Sequence, residues 1–534
     1  MPAVVTDQFR ILNASNFVDS LLDDTNNSYY VFLGLPNPTI SSPQGPVGFG
    51  RSSDWNVNPV PSPIDNLQYI SNYRDTGMFG KKITNANVRR VVKKYSWTKN
   101  ARYDMYRHDY SILKNPSPNG ETNLYNTNYY VMNSDYRVYV CIDNGSSGSD
   151  PKGKRSLDEP TFTDLEPTAA GSDGFIWKYL FTISPSDVIK FDSTEYVVLP
   201  NNWDTTTDTQ IQNIRESGNS DINKNQIKTV YIDNAGSSAK SVYREGSHTV
   251  DILGDGKEGK ALVTVSSTGV ITDVIVVAGG YGYTYGIVDL GTVQLSSTIE
   301  AVNLAKLIPI IPPSKGHGYD VYKELGADKV LIYARFDDST KDFPTDTHFS
   351  QVGIIKNPQQ YSSDVLYTGS QYNSLSSVKL QDGIDISHPD NLIGVGITQS
   401  VNDGVARGYV ASYDPETKVL KYFTDRSLHF INADNQTDGP SVTTQSKVLS
   451  FESSSNNIVS VNPNAAFEGS VDQTFSGIST IVDSKQINLG VEFTNGLANS
   501  EINKKTGDVI YIDNRSVVKR DLRQKEDVKI ILEF

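Results

Sequence analysis

The sequence predicts a mainly β protein: an antiparallel β-sandwich core with few short helices, long Pro-rich arms and inserted β modules. Three observations carry this expectation. Short segments rich in β-branched and aromatic residues recur along the chain, among them Glu195–Leu199, Thr229–Asp233, Ala261–Val265, Lys329–Tyr333 and Val528–Leu532. Turn signals such as Asp143-Asn-Gly145, Asn234-Ala-Gly236 and Asp382-Gly383 fall between such segments and favour hairpins over helical crossovers. The 40 glycines and 24 prolines supply many more turns.

Taken in order, Asn16–Asp23 is expected to be helical, because Phe17, Val18, Leu21 and Leu22 fall on one side. Residues 36–63 are proline-rich and read as an extended arm. Asn87–Tyr95 carries Val88, Val91, Val92 and Tyr95 at helical spacing and is expected to form a second helix, although valines also suit strands. The small, polar residues 143–170 read as another arm, and Trp177, Tyr179 and Phe181 alternate along a strand whose rings are expected to pack in a core. Residues 205–307 are rich in Gly, Ser, Thr and Val and are flanked by Pro200 and by Pro309, Pro312 and Pro313, so they read as an inserted β module. Within 393–500, a second such module, Ala406–Phe423 reads as two strands about a turn at Asp414–Thr417. The expected division is therefore a core in three parts, 1–204, 308–392 and 501–534, interrupted by modules at 205–307 and 393–500.

The chain has 534 residues and a formal charge of −14, which argues against a dedicated nucleic-acid binder. Cys141 is the single cysteine, so no internal disulfide can form, and folding in a reducing cytoplasm is consistent with this. Asp7 and Arg10 interrupt the apolar run that a secretory peptide needs, and no apolar run approaches the ~20 residues of a spanning helix, so neither a signal peptide nor membrane insertion is expected. The segment Gly254-Asp-Gly-Lys-Glu-Gly-Lys-Ala261 has the spacing of a phosphate-binding loop. However, Ala261 stands where Ser or Thr should hold magnesium, and strand-like residues follow where a helix is required. A hairpin turn is the better reading. The glycines of Gly279–Gly286 likewise read as a tight turn. The six histidines form no HxxxH pair, and neither an EF-hand pattern nor a Gly-x-Ser-x-Gly elbow occurs. No catalytic, cofactor-binding or metal residue is therefore assigned, no cofactor is expected, and the chain is not expected to be an enzyme.

The most unusual local chemistry interleaves cations with rings: Arg89, Arg90, Lys93, Lys94, Tyr95, Trp97, Lys99, Arg102, Tyr103, Tyr106, Arg107, His108 and Tyr110. Such residues stack on bases or sugars, but Arg, Tyr and Trp also anchor protein interfaces, and the acidic chain favours the interface reading over nucleic acid.

Several stretches resemble one family, the dimeric baseplate wedge subunit of T-even-type contractile-tailed bacteriophages. The most specific is Ser172-Asp-Gly-Phe-Ile-Trp-Lys-Tyr-Leu-Phe-Thr-Ile183, followed by Thr194–Pro200. Phe49-Gly-Arg-Ser-Ser-Asp-Trp55, Phe349–Pro358 and Gly507–Arg515 through Phe534 are also similar to family patterns, and they occur in family order. The resemblance implies a non-catalytic virion protein of the tail baseplate, assembled in the host cytoplasm. It would be a homodimer that binds other wedge proteins, with tail fibre proteins as further candidates, and would help couple host attachment to sheath contraction. The interface candidates are Arg51 and Trp55 on the arm, together with Trp97, Arg102, Tyr103 and Arg107. The alternative is a tail-associated glycan-binding protein or glycan hydrolase acting on the host surface, suggested by the tyrosines, acidic loops and inserted modules.

Overall fold

The computed structural model describes residues 5–23, 26–34, 73–74, 76–111, 120–147, 150, 152–217, 224–238, 242–295, 304–337, 348–383, 386, 388–393, 395–401, 404–424, 448–452, 467–519 and 524–534. The arm at 36–63, with Arg51 and Trp55, lies outside these residues apart from what the sequence itself says of it. The protein is mainly β, with several antiparallel sheets, and it divides into two compact units.

The first unit comprises Met1–Val18, Arg89–Leu331 and Ile531–Phe534. Its central sheet orders the strands Tyr130–Met132, Arg137–Asp143, Ile176–Thr182 and Thr168–Ala169, all paired antiparallel. Val138 lies opposite Phe181 and Cys141 opposite Trp177. Trp177, Tyr179 and Phe181 are buried as expected, but so are Lys178 and Leu180, because the strand is covered on both faces. A second sheet of this unit orders Ile271–Tyr281, Lys257–Val265, Gly246–Gly254 and Gly286–Val288. Its inward valines and isoleucines, among them Val250, Ile252, Val263 and Val274, pack with Val230 and Ile232 of the strand Val230–Asn234. Residues 205–307 thus share one compact unit with the central sheet. The short helix Val321–Leu325 is capped by Asp320 and stopped by Gly326 at φ 73°, where an added Cβ would also lie 2.4 Å from the Tyr125 ring.

The second unit comprises Asp19–Val88 and Ile332–Ile530. One five-stranded sheet runs in the order Gln371–Asn373, Gly77–Lys82, Tyr29–Gly34, His348–Lys356 and Asp508–Lys519. Against it sits a cluster containing Tyr30, Phe32, Tyr73 and Tyr372, in which the Tyr73 and Tyr372 hydroxyls are 3.0 Å apart. A seven-stranded sheet orders Phe467–Ser470, Val448–Phe451, Gly396–Val401, Gly404–Asp414, Val419–Thr424, Ser376–Lys379 and Leu497–Ala498. Strands from 393–500 therefore share a sheet with Ser376–Lys379, while Gly477–Val482 and Lys485–Phe493 pair as a separate two-stranded sheet.

Four expectations need correction. The first helix is Asp7–Leu22, not Asn16–Asp23: Ile11, Ala14, Val18 and Leu21 make one buried face that extends well before Asn16. Asn87–Tyr95 does not form a helix but contains the strand Val88–Lys93, where Val88, Val91 and Val92 are buried and Val91 pairs with Val198, in keeping with the strand preference of β-branched residues. The turn signals at Asp143 and Asn234 end strands through Asx turns, Asp143 accepting from the Gly145 N–H and Asn234 from the Gly236 N–H, without closing hairpins there. The strand Arg137–Asp143 instead pairs with Ile176–Thr182, and Val230–Asn234 with Lys306–Pro309. Residues 143–170 are strand-poor, as an arm would be, yet they pack onto the central sheet: Ser156 is fully buried, and Tyr139 donates to the Phe162 carbonyl at 2.7 Å.

The phosphate-loop look-alike is a hairpin: Gly246–Gly254 and Lys257–Val265 pair antiparallel, with Asp251 opposite Lys260. Ala406–Phe423 also forms the expected strand pair, and its turn is held by Asp414 accepting from the Glu416 N–H and the Thr417 hydroxyl.

Candidate assembly interface

The basic and aromatic segment forms no single exposed face. Val88–Lys93 sends its two consecutive arginines to different partners: Arg89 meets Asp187 at 2.7 Å, whereas the Arg90 guanidinium lies 4.2 Å over the Tyr322 ring. Asp187 is placed by the helix Pro185–Phe191, which Ser184 caps by accepting from the Asp187 N–H and which has proline in its first turn. Lys94 donates to the Ser193 carbonyl at 2.9 Å.

Beyond the strand the chain is irregular, and its polar groups are met by both backbone and side chains, the Trp97 N–H donating to the Met132 carbonyl and the Tyr106 N–H to the Cys141 carbonyl, each at 2.8 Å. Trp97 Nε1 donates to Ser156 Oγ at 3.0 Å, and the Tyr103 hydroxyl accepts from the Thr98 N–H at 2.6 Å. Tyr103 is buried edge-on against Trp177 at 5.7 Å, and this burial raises its hydroxyl pKa. Arg107, 1% exposed, donates Nε and Nη2 to Asp109 and stacks on Tyr231 at 4.0 Å. Tyr103 and Arg107 thus make their hydrogen bonds and ring contacts within this unit, where both are buried. Trp97 and Arg102 remain partly exposed. Arg102 pairs with Asp150 at 3.3 Å and also donates to the Gly153 carbonyl, with about a third of its side chain open to solvent. Arg51 and Trp55 lie outside the described residues.

The residues that sequence reasoning missed lie behind the central strand. Glu324 accepts from His317 Nδ1 and from the Gly318 N–H, each at 2.6 Å, and the His317 ring stands edge-on to Tyr106 at 4.8 Å. Both members of the pair are nearly fully buried. Lys178, 3% exposed, donates to the Leu165 carbonyl and, at 2.9 Å, to Ser217 Oγ. Sequence alone could not join these positions, because an isolated lysine in an apolar strand and a lone histidine carry no spacing signal. Among the described residues, no cluster of three or more His, Cys, Asp or Glu side chains is placed to hold a metal ion.

The fold and this segment define a multi-sheet β protein whose cations and rings are divided between internal packing and a small exposed remainder. Residues 144–272 match the family model Phage-Gp8, described as Bacteriophage T4, Gp8. The baseplate wedge protein gp8 of Enterobacteria phage T4 is similar to the chain, with 26% identity over 220 residues, covering 37% of this chain and 60% of that protein. The chain thus spans about 60% of the length of the curated relative that it matches. These similarities support a phage baseplate wedge subunit. The family match takes in the central strand Ile176–Thr182 and runs on through residues 205–272, part of the segment that the sequence set apart as an insertion.

Proposed function

We propose that the chain is a structural subunit of a contractile phage tail baseplate wedge. In this reading it acts as a homodimer, binds other wedge proteins, performs no catalytic step, and helps couple host attachment to sheath contraction. The observation that carries the proposal is the similarity to a baseplate wedge protein over 220 residues, combined with a family match that includes the buried central strand Ile176–Thr182. The protein is placed in the virion tail and assembled in the host cytoplasm, consistent with the buried free thiol of Cys141. Trp97 and Arg102, with Arg51 and Trp55 on the arm, are the proposed contact residues. An isologous dimer requires one patch to complement itself while other patches meet different neighbours.

The test is to delete the gene from the phage that carries it and supply the chain in trans. The expected result is loss of complete baseplates without the chain and recovery with it. Complete, contractile tails assembled in its absence would remove the proposal.

A further inference from the structure

The sheet of the first unit that contains Gly246–Gly254 and Lys257–Val265 buries one face and leaves the other open. Val250, Ile252, Ala261 and Val263 point into the core, so the alternating residues Asp251, Leu253, Lys260 and Leu262 point outward. Leu253, Ile275, Val277, Tyr285 and Ile287 are each between 54% and 65% exposed, which gathers five large apolar side chains on this sheet, Tyr285 just ahead of its last strand. At one end of the open face Leu262 stands opposite Ile275, with Val277 beside them on a bulge. At the other end, diagonally across the four strands, Leu253 stands opposite Ile287. Between the two ends Asp251 faces Lys260 at 3.4 Å, and both side chains are more than half exposed. Open apolar surface gathered in this way marks a contact site rather than ordinary solvated sheet.

We infer that this open face is the self-complementary contact between two copies of the chain. The charge pattern selects the occupant: one basic and one acidic residue at the centre, with an apolar end on either side, find their complement in the same face of a second copy. A two-fold axis lying in the face, across the line that joins the two ends, sets Leu262 and Ile275 of each copy on Leu253 and Ile287 of the other. The same operation brings Lys260 of each copy to Asp251 of the other, so the two internal pairs join into one cluster of alternating sign. Sheets stacked face to face lie about 10 Å apart, a spacing that leucine and isoleucine side chains from both sides fill. The inference names the surface of the homodimer proposed above and rests on that reading.

The experiment is sedimentation equilibrium of the full chain and three variants, with thermal unfolding as the control for folding. The unaltered chain is expected to dimerise. Ile287→Ser, at a side chain 65% exposed in the single chain, should leave thermal unfolding unchanged and weaken self-association by about a hundredfold, because the two-fold counts each lost apolar contact twice. Lys260→Glu makes the centre of the face wholly acidic and Asp251→Lys makes it wholly basic. Each should self-associate more weakly than the unaltered chain, while an equimolar mixture of the two should dimerise. A role confined to the internal pair predicts no such recovery on mixing. If the unaltered chain dimerises and the variants do so equally well, or if mixing restores nothing, the face is not the contact and the homodimer stands on another surface. A chain that is monomeric throughout removes the homodimer and this contact together. A monomeric chain whose Ile287→Ser variant no longer enters tail particles gives the face to a different wedge protein, which also overturns the self-contact.

Discussion

Arg107 lays its guanidinium 4.0 Å over the ring of Tyr231 while its Nε and Nη2 donate to Asp109 at 2.9 and 3.0 Å. The contact joins the irregular chain after Val88–Lys93 to the strand Val230–Asn234, so a residue with the chemistry of an interface anchor serves as an internal tie. Removing it takes the guanidinium from the Asp109 carboxylate and leaves a void against the Tyr231 ring. Arg107→Ala is expected to cost about 3–5 kcal/mol, read as a lower urea midpoint of the full chain. Arg107→Lys should recover only part of that, because a lysine cannot reproduce the planar two-donor pairing and ring stacking. A midpoint unchanged in Arg107→Ala would show that the tie contributes little.

Arg102 offers the contrasting case. Its pair with Asp150 is 36% and 42% exposed on the two side chains, and pairs of that kind contribute roughly 0–1 kcal/mol. Arg102→Glu should therefore leave thermal unfolding nearly unchanged while weakening incorporation of the chain into tail particles, measured by competition between variant and unaltered protein. Equal incorporation would remove Arg102 from the contact surface.

At the hairpin that mimics a phosphate loop, Asp255 accepts from the Thr284 hydroxyl and N–H and from the Tyr285 N–H, locking the glycine turn beside it. These hydrogen bonds hold its carboxyl at about 2, below the ordinary 3.8. A folded-state value below the unfolded one contributes stability that is fully present above the unfolded value and disappears as pH falls through the folded one. The stability difference between the unaltered chain and Asp255→Asn should therefore shrink as pH is lowered from above 3.8 toward 2, followed by acid titration of unfolding. A difference independent of pH over that window would contradict the locking role.

Lys178 gives the same sign in the alkaline range. Its amine is lowered by burial from 10.5 to about 8, so its contribution is complete above 10.5 and is lost as pH falls through about 8. Keeping the ammonium buried at neutral pH costs roughly 3 kcal/mol. Relative to Lys178→Gln, which keeps a donor for the Leu165 carbonyl, the unaltered chain should gain stability between pH 8 and 10.5, seen in paired urea titrations across that range. Parallel curves for the two proteins would show that the amine is not held in its neutral form by the fold.

The strands were legible because burial selects β-branched and aromatic residues locally. Tyr196–Val198 lies within the expected segment Glu195–Leu199, while Lys257–Val265 and Lys525–Glu533 contain the expected segments Ala261–Val265 and Val528–Leu532. Val88–Lys93 shows the limit of periodicity over so short a run: valines at i, i+3 and i+4 satisfy a helical stripe, but Val198 across the ladder fixes the extended form. The helix Asp7–Leu22 was half hidden, since Phe9 and Leu12 face solvent and blur the stripe made by Ile11, Ala14 and Val18. Within the candidate interface, residue type alone could not separate Arg102 from Arg107, because burial depends on Asp109, Tyr231 and the distant strands that surround them. The Lys178, His317 and Glu324 group was out of reach for the same reason: it is assembled by tertiary contact from residues with no shared motif.

The most direct measurement is the copy number of the chain in purified contractile-tailed particles, by quantitative mass spectrometry against a known wedge component. A structural homodimer in each wedge requires two copies per wedge. Absence from particles, or a number unrelated to that of the wedges, would contradict the proposed role.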